Sequence, residues 1–437
     1  MTDRLSRGPT GSASPSPSQP GQQGGRGLPV RRAMPSLLAL VVATACSTDG
    51  DAAARRSTVR DSAGIAIAEN VSPDDSAANQ WWRLGDAQLD IGGADAAEAY
   101  AVFRVVGAMR TADGRIVVAS AGSSDVRYYD AHGAWLKTTG RQGGGPGEFQ
   151  NPYLLERGGA DTVYVADGAN RRIAILAPDG SFVRDIPEMG AAPRVYGRFA
   201  DGTWLGGADM RLGPADMASM SNTLTRGDLA LVRYDERLGV GDTILTLPGA
   251  ERVINVSATN GTITRIEIFR PAFAKTPIEL ACGHEICAGT QENAEIRVYG
   301  QDGALHRIVR TGRAPEPITE AHLDAEFEQR LAAMPQPARD QARAAGRGDR
   351  PHGEFVPPYE ILLIDRIGRF WLSDYNDPLD TPGRWTVYDR NGAVLARIQL
   401  PARFRPYDIG EDWILGREFD DLDVEHVKLY PIVTASS

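Results

Sequence analysis

From residue 103 onward, apolar and β-branched residues come in short runs separated by turns rich in glycine, aspartate and asparagine. That pattern predicts antiparallel strands rather than helices. Asp113-Gly114 opens the run Arg115-Ile116-Val117-Val118-Ala119; a polar loop follows, then Val126-Arg127-Tyr128-Tyr129-Asp130, a turn ending at Gly133, and a run over 135–139. The next stretch repeats that order at 162–166, 173–176 and 182–186, with a loop over 167–172 and a turn at Asp179-Gly180. A recurring strand-turn-strand unit predicts a repeat architecture whose units bury their faces against one another.

Later units keep the order and vary the loops. Runs at 203–205, 229–235 and 243–247 make a third; 277–288, 295–299 and 305–309 a fourth; 360–365, 369–373, 385–389 and 394–400 a fifth. A sixth, at 407–409, 413–417 and 425–431, ends after three strands. Gly133, Gly180, Gly303 and Gly392 end similar hairpins, with Leu238 in that place in the third unit. A ring of such units must close, because an incomplete last unit leaves an unpaired edge. The spare segment 81–91 is the expected partner for that edge. The largest departure is 315–349, where Thr319 can N-cap a helix carrying Leu323, Phe327 and Leu331, Pro335 should break it, and 338–345 can form a second. Two roles stay open for it: packing on the rim of the β-array, or a partner-binding arm.

The stretch over 140–152, Gly-Arg-Gln-Gly-Gly-Gly-Pro-Gly-Glu-Phe-Gln-Asn-Pro, joins the first repeat to the second. Glycine tolerates positive φ and proline interrupts a sheet ladder, so the segment reads as a joint. Through Gly145, Gly147 and Phe149 it resembles the joint between blades of NHL-type β-propellers, where a glycine-rich turn ends in Gly-Glu-Phe and a proline. Val163-Tyr164-Val165-Ala166-Asp167-Gly168-Ala169-Asn170-Arg171-Arg172-Ile173 resembles the NHL repeat core, which marks Asp167, Asn170 and Arg172 as the repeat motif. Ser120, Ser123 and Asp125 align with them as a degenerate copy. From Asp61-Ser62-Ala63-Gly64 to Phe370-Trp371-Leu372 the chain resembles a bacterial family of six-bladed, NHL-repeat-like β-propeller lipoproteins of uncharacterised function. The resemblance implies an all-β fold: a single six-bladed β-propeller over 63–433, with the helical insertion at 315–349 and the N-terminal strand closing the last blade. It implies no activity.

The beginning of the chain reads differently. Arg31 and Arg32 precede an apolar run over 37–45, the charged and apolar regions of a signal peptide, and the run is too short to span a bilayer. Ala43-Thr44-Ala45-Cys46 resembles the lipobox of bacterial lipoproteins, with Ala43 where leucine is usual. That implies lipidation of Cys46, a leader over 1–46, and a tether over the polar residues 47–62. Ser47 after the cysteine resembles an outer-membrane sorting signal; ordinary secretion to the periplasm or beyond is the alternative. Residues upstream of Arg31 lack periodicity and read as disorder or as an early start codon.

Charge and cysteine usage narrow the partners. The net charge is −10, and no stripe of Lys or Arg interleaved with aromatics runs along the chain, which argues against nucleic acid. With Cys46 assigned to lipidation, Cys282 and Cys287 flank a hairpin turn in an oxidising compartment, and a cross-hairpin disulfide is expected; zinc is the lesser alternative, with His284 the one nearby imidazole. The six histidines are scattered without metallohydrolase spacing. Asp374, Asp377 and Asp380 have a calcium-ligand-like spacing but lack the central glycine and distant glutamate of an EF-hand, so they, like Asp420, Asp421 and Asp423, read as solvated turn acids. Asp167, Asn170 and Arg172 read as loop-holding groups. Gly143-Gly144-Gly145 lacks the Lys-Ser/Thr and the helix of a phosphate loop.

No catalytic, cofactor or metal residue is assigned. The sequence points to a monomeric, exported, lipid-anchored binding or scaffold module for a protein, peptide or glycan. A metal-dependent, lactonase-like hydrolase or lyase is the alternative, which would need His, Asp, Asn or Glu side chains converging from several blades.

Overall fold

The computed structural model describes residues 56–73, 81–187, 194–209, 222–239, 241–259, 262–348, 350–375 and 382–434; the leader with Cys46, most of the tether, and Asp377 and Asp380 lie outside the described residues. The apolar runs are strands. Ile116–Ser120 and Asp125–Tyr129 are buried at every residue, while Trp135–Thr139 beside them is half-buried or exposed. A strand covered on both faces is built mainly of apolar residues, and its buried charges are paired, as Asp125 is with Arg127, whereas the outer strand meets solvent.

Each meander runs in chain order. The first comprises Val105–Arg110, Ile116–Ser120, Asp125–Tyr129 and Trp135–Thr139; the second comprises Pro152–Arg157, Val163–Asp167, Arg172–Leu176 and Phe182–Pro187. The third comprises Arg194–Arg198, Trp204–Asp209, Leu224–Tyr234 and Asp242–Thr259, extended by Thr262–Phe269. The fourth comprises Ile278–Cys282, Glu285–Gly289, Glu295–Gly300 and Leu305–Arg310; the fifth comprises Leu362–Ile364, Phe370–Ser373, Gly383–Tyr388 and Val394–Leu400. The last has Arg405–Ile409, Trp413–Phe419 and Glu425–Val433 from the C-terminal region.

The strand missing from that last meander comes from the other end of the chain. Leu89–Gly92 pairs antiparallel with Glu425–Val433, in register from His426 opposite Gly92 to Leu429 opposite Leu89. Just before it, Trp81–Leu84 pairs parallel with Val394–Leu400 and antiparallel with Glu425–Val433, stitching the fifth and last meanders together.

The innermost strands touch in succession. Val105–Arg110 lies against Pro152–Arg157, which lies against Arg194–Arg198, then Ile278–Cys282, then Leu362–Ile364; Arg405–Ile409 returns to Val105–Arg110. Apolar layers fill the spaces between successive sheets. Met109, Tyr128 and Phe149 meet Val165 and Leu176; Ile173 meets Trp204; Leu231 meets Ile286; Val298 meets Phe370; Trp385 meets Ile414. Ile91, Val118 and Tyr129 with Leu415 and Val427 join the last sheet to the first. Sheets packed face to face in a closed cycle make a β-propeller fold, in which closure removes the exposed edge that an open array would leave.

Three features differ from the sequence reading. Ser57–Ser62, read as the end of the tether, is a strand paired with Ile65–Asn70, and Ile65–Asn70 adds parallel to Leu305–Arg310 on the outside of the fourth sheet. Asn70 fixes this hairpin by donating to the carbonyl oxygens of Arg310 and Gly392 and accepting from the Val394 N–H. The innermost strands Val105–Arg110, Pro152–Arg157 and Arg194–Arg198 are absent from the sequence reading, because they mix charged, small and apolar residues instead of forming apolar runs. The third sheet extends through an 18-residue strand whose far half pairs with Thr262–Phe269.

Helix α1 (Glu320–Ala332) is N-capped by Thr319, which accepts from the His322 N–H, and buries Leu323 and Leu331; helix α2 (Gln336–Ala345) buries nothing. A short ladder between Glu316–Pro317 and Phe355–Val356 ties together the ends of this excursion.

Candidate binding site where the innermost strands begin

The joint over 140–152 leads into the start of an innermost strand and is held by the residues that the repeat motif marks. Asp167, fully buried, accepts from the backbone N–H groups of Gln150, Asn151, Ala169 and Asn170. The Asn170 amide donates to the Gly143 carbonyl at 2.9 Å, and Arg172 donates to those of Gly144 and Glu148 at 3.2 and 2.7 Å. Gly145 donates its N–H to the Glu148 carboxylate at 2.8 Å, and this bond, with Arg141 beside it, holds that carboxyl below its usual range. Gly140 (φ 89°) and Gly147 (φ 71°) take left-handed conformations, and a Cβ on Gly140 would lie 2.5 Å from the ring of Phe149. Phe149 itself is fully buried in the layer between the first two sheets. In the first sheet the aligned Asp125 does not reach a connecting loop. Arg127, two residues along the strand, does so instead, donating to the carbonyl oxygens of Glu98 and Ala101 while paired to Asp125 at 3.0 Å.

At the seam between last and first sheets, Glu425 accepts from the Val105 N–H at 2.8 Å, and Tyr407 donates its hydroxyl to the Val105 carbonyl at 2.7 Å. Burial pushes the Tyr407 phenol up, which keeps it a donor. Beside this clamp lies an open cavity of about 410 Å³, walled by residues of the last, first, second and third sheets. Arg104, directly before the first innermost strand, and Arg194 and Arg405, the opening residues of two others, all line it and are all exposed. Among the described residues the Arg104 and Arg405 side chains have no hydrogen-bond or ion-pair partner, and Arg194 lies over the ring of Tyr153, 4.9 Å from its centre.

A second cavity, of about 320 Å³, adjoins the first through the shared residues Arg405 and Arg417, which face each other across neighbouring strands. Ile361, Trp385, Pro401, Phe404 and Phe419 give it an apolar wall, and Glu360, Ser373, Asp374 and Arg403 complete the lining with polar groups. Arg417 is fixed in the partition by Glu425 at 3.3 Å and by the ring of Phe419, 4.5 Å from its guanidinium.

The other candidate residues are dispersed. Cys282 and Cys287 form a disulfide across the hairpin, with Cα atoms 6.0 Å apart, at the end of the fourth innermost strand remote from the cavities. Asp374 is not a solvated turn acid: it is buried and paired with Arg313 at 2.6 Å and Arg397 at 2.8 Å. Asp420 organises a turn by accepting from the N–H groups of Leu422 and Val424. His306 pairs with Glu285, His322 caps α1, and His426 pairs with Asp90, all in different places. Among the described residues no three His, Cys, Asp or Glu side chains gather in metal-ligating geometry. The arginine cluster has no local signature in the sequence. The one available signal is an arginine at the start of several innermost strands, which requires knowing where those strands are.

Fold and site together define a β-propeller protein with an arginine-lined cavity where the innermost strands begin. No family model matches the chain, and no curated protein matches it in sequence. Among solved structures it is similar to a member of the DUF4221 family from Bacteroides vulgatus (12% identity, 82% of this chain and 99% of that one, TM-score 0.48). It is also similar to virginiamycin B lyase from Staphylococcus aureus (12% identity, 78% and 83%, TM-score 0.36) and to the calcium-binding protein regucalcin from Agrobacterium tumefaciens (10% identity, 82% and 97%, TM-score 0.37). Likeness at this level says nothing about activity, and the fold rests on the closed cycle of this chain's own sheets.

Proposed function

We propose that this protein is an exported binding module: a six-bladed propeller over 63–433 with a helical insertion at 315–349, lipid-anchored through Cys46 at the outer membrane. It acts as a monomer and engages a protein, peptide or glycan at the cavities where its innermost strands begin. One observation carries the reading: a cavity walled by four sheets is lined by exposed arginines that the described residues leave without ionic partners. Charge that converges from separate sheets without an ionic partner suits recognition of an anionic group. The same positive charge repels a catalytic cation, so the site gives no support to a metal-dependent hydrolase or lyase.

The test is a peptide and glycan array probed with the wild type and with Asn151→Trp, which places a bulky side chain at an exposed position lining the cavity. Binding that the variant abolishes without a change in melting temperature supports the reading, and binding indifferent to it sinks the reading. Palmitate incorporation that is lost in Cys46→Ala tests the anchor.

A further inference from the structure

We infer that the paired cavities take a short acidic peptide segment, with a carboxylate among Arg104, Arg194 and Arg405 and a neighbouring apolar side chain in the adjoining pocket. This rests on the reading of that face as the binding surface.

The charge of the occupant follows from the arginines. Each guanidinium offers a planar fork of donors that matches a carboxylate, and three of them come from three different sheets to one cavity. Arg194, laid over Tyr153, is already oriented, so less side-chain freedom is lost when it binds. The neighbouring cavity adds a different requirement. Its wall of Ile361, Trp385, Pro401, Phe404 and Phe419 offers apolar contact, and about 320 Å³ is ample for one leucine or phenylalanine side chain. Arg417, held by Glu425 and Phe419, stands between the compartments, so acidic and apolar groups must be adjacent in the ligand.

Net charge separates a peptide from an acidic glycan. The protein carries −10 overall, so a polyanion is repelled by the body even as the arginines attract it. An occupant with one or two negative charges gains the local contacts without that long-range penalty. A peptide supplies such a charge next to a bulky apolar group, whereas a chain of uronates repeats its charge and has no side chain to fill the second compartment.

The experiment measures binding of three probes to the purified protein by calorimetry: an end-blocked pentapeptide with phenylalanine next to two aspartates, its asparagine counterpart, and trigalacturonate. The expected result is measurable binding of the aspartate peptide, at least ~10-fold weaker binding of the asparagine peptide, and a loss of ~10-fold or more in each of Arg194→Ala and Arg405→Ala. Replacing the phenylalanine of the probe by alanine should also weaken it. Equal binding of aspartate and asparagine peptides, no peptide binding, or arginine variants that bind like the wild type overturns the inference. Trigalacturonate binding with the peptides silent overturns the peptide assignment; if Asn151→Trp abolishes that binding, the face is still a binding surface. Both arginines are exposed, and an unchanged melting temperature confirms that the variants fold.

Discussion

Glu425 and Val105 stand 320 positions apart in the chain, yet the carboxylate of the first accepts the backbone N–H of the second at 2.8 Å in the buried seam between the last sheet and the first. The same carboxyl group pairs with Arg417 at 3.3 Å, and Tyr407 secures the Val105 carbonyl. Glu425→Ala would leave a buried N–H without an acceptor and Arg417 without its partner, at a cost of about 2–3 kcal/mol. Tyr407→Phe should cost about 1 kcal/mol. Urea denaturation checks both through the midpoint at constant slope. A Glu425→Ala cost no larger than that of Tyr407→Phe would mean that the carboxylate is not what secures the seam.

Glu156, on the innermost strand of the second sheet, has its carboxyl pushed up to about 7 by burial, with Arg198 and Arg157 only partly offsetting the effect. The unfolded chain releases this proton near 4.5, so the folded state binds more protons between the two values. Stability from this group is therefore present below about pH 4.5 and is lost as pH rises to about 7. Glu156 is half-buried, and water access reduces the loss to roughly 1–2 kcal/mol. Glu156→Gln should be more stable than wild type at pH 8 and equal to it at pH 4. Parallel stability curves for the two proteins across that range would refute the assignment.

Leu238 occupies the turn position that glycine fills at Gly133, Gly180, Gly303 and Gly392, with φ 56°, and its side chain is buried between the second and third sheets. Leu238→Gly relieves about 1 kcal/mol of backbone strain but gives up about 2–3 kcal/mol of apolar burial and adds freedom to the unfolded chain. The net expectation is a destabilisation of about 1–2 kcal/mol, read by denaturant titration. A stabilised variant would show that strain outweighs packing there.

The disulfide closes a loop with a sequence separation of five residues, so its chain-entropy contribution is small, about 2 kcal/mol. The double variant Cys282→Ser and Cys287→Ser should fold, melt a few degrees lower, and keep any ligand binding at the cavities, which no residue of that hairpin lines. Thiol labelling of the unreduced wild type should find neither cysteine free. Loss of folding would assign the bond a larger role than pinning one hairpin.

The sequence by itself determined the middle of each sheet. Ile116–Ser120 and Val163–Asp167 are legible because a strand covered on both faces is mostly apolar along its length, and the recurrent turns from Gly133 to Gly392 are legible because their backbone favours one residue type. The spare segment that became Leu89–Gly92 was legible as the partner of an incomplete last unit. The joint over 140–152 could be read for the same reason: its bend requires glycines in sequence.

Only the tertiary structure decided the rest. Val105–Arg110, Pro152–Arg157 and Arg194–Arg198 are strands because of what lies beside them in the ring, and their mixed composition carries no period. Asp374 looks like a loop acid until Arg313 and Arg397 arrive from elsewhere in the chain to pair with it. Arg104, Arg194 and Arg405 are remote in sequence and share a cavity only because closing the cycle brings the starts of the innermost strands together. Burial on both faces constrains every residue along a strand and leaves a local pattern, whereas convergence around a ring constrains one residue per sheet and leaves none.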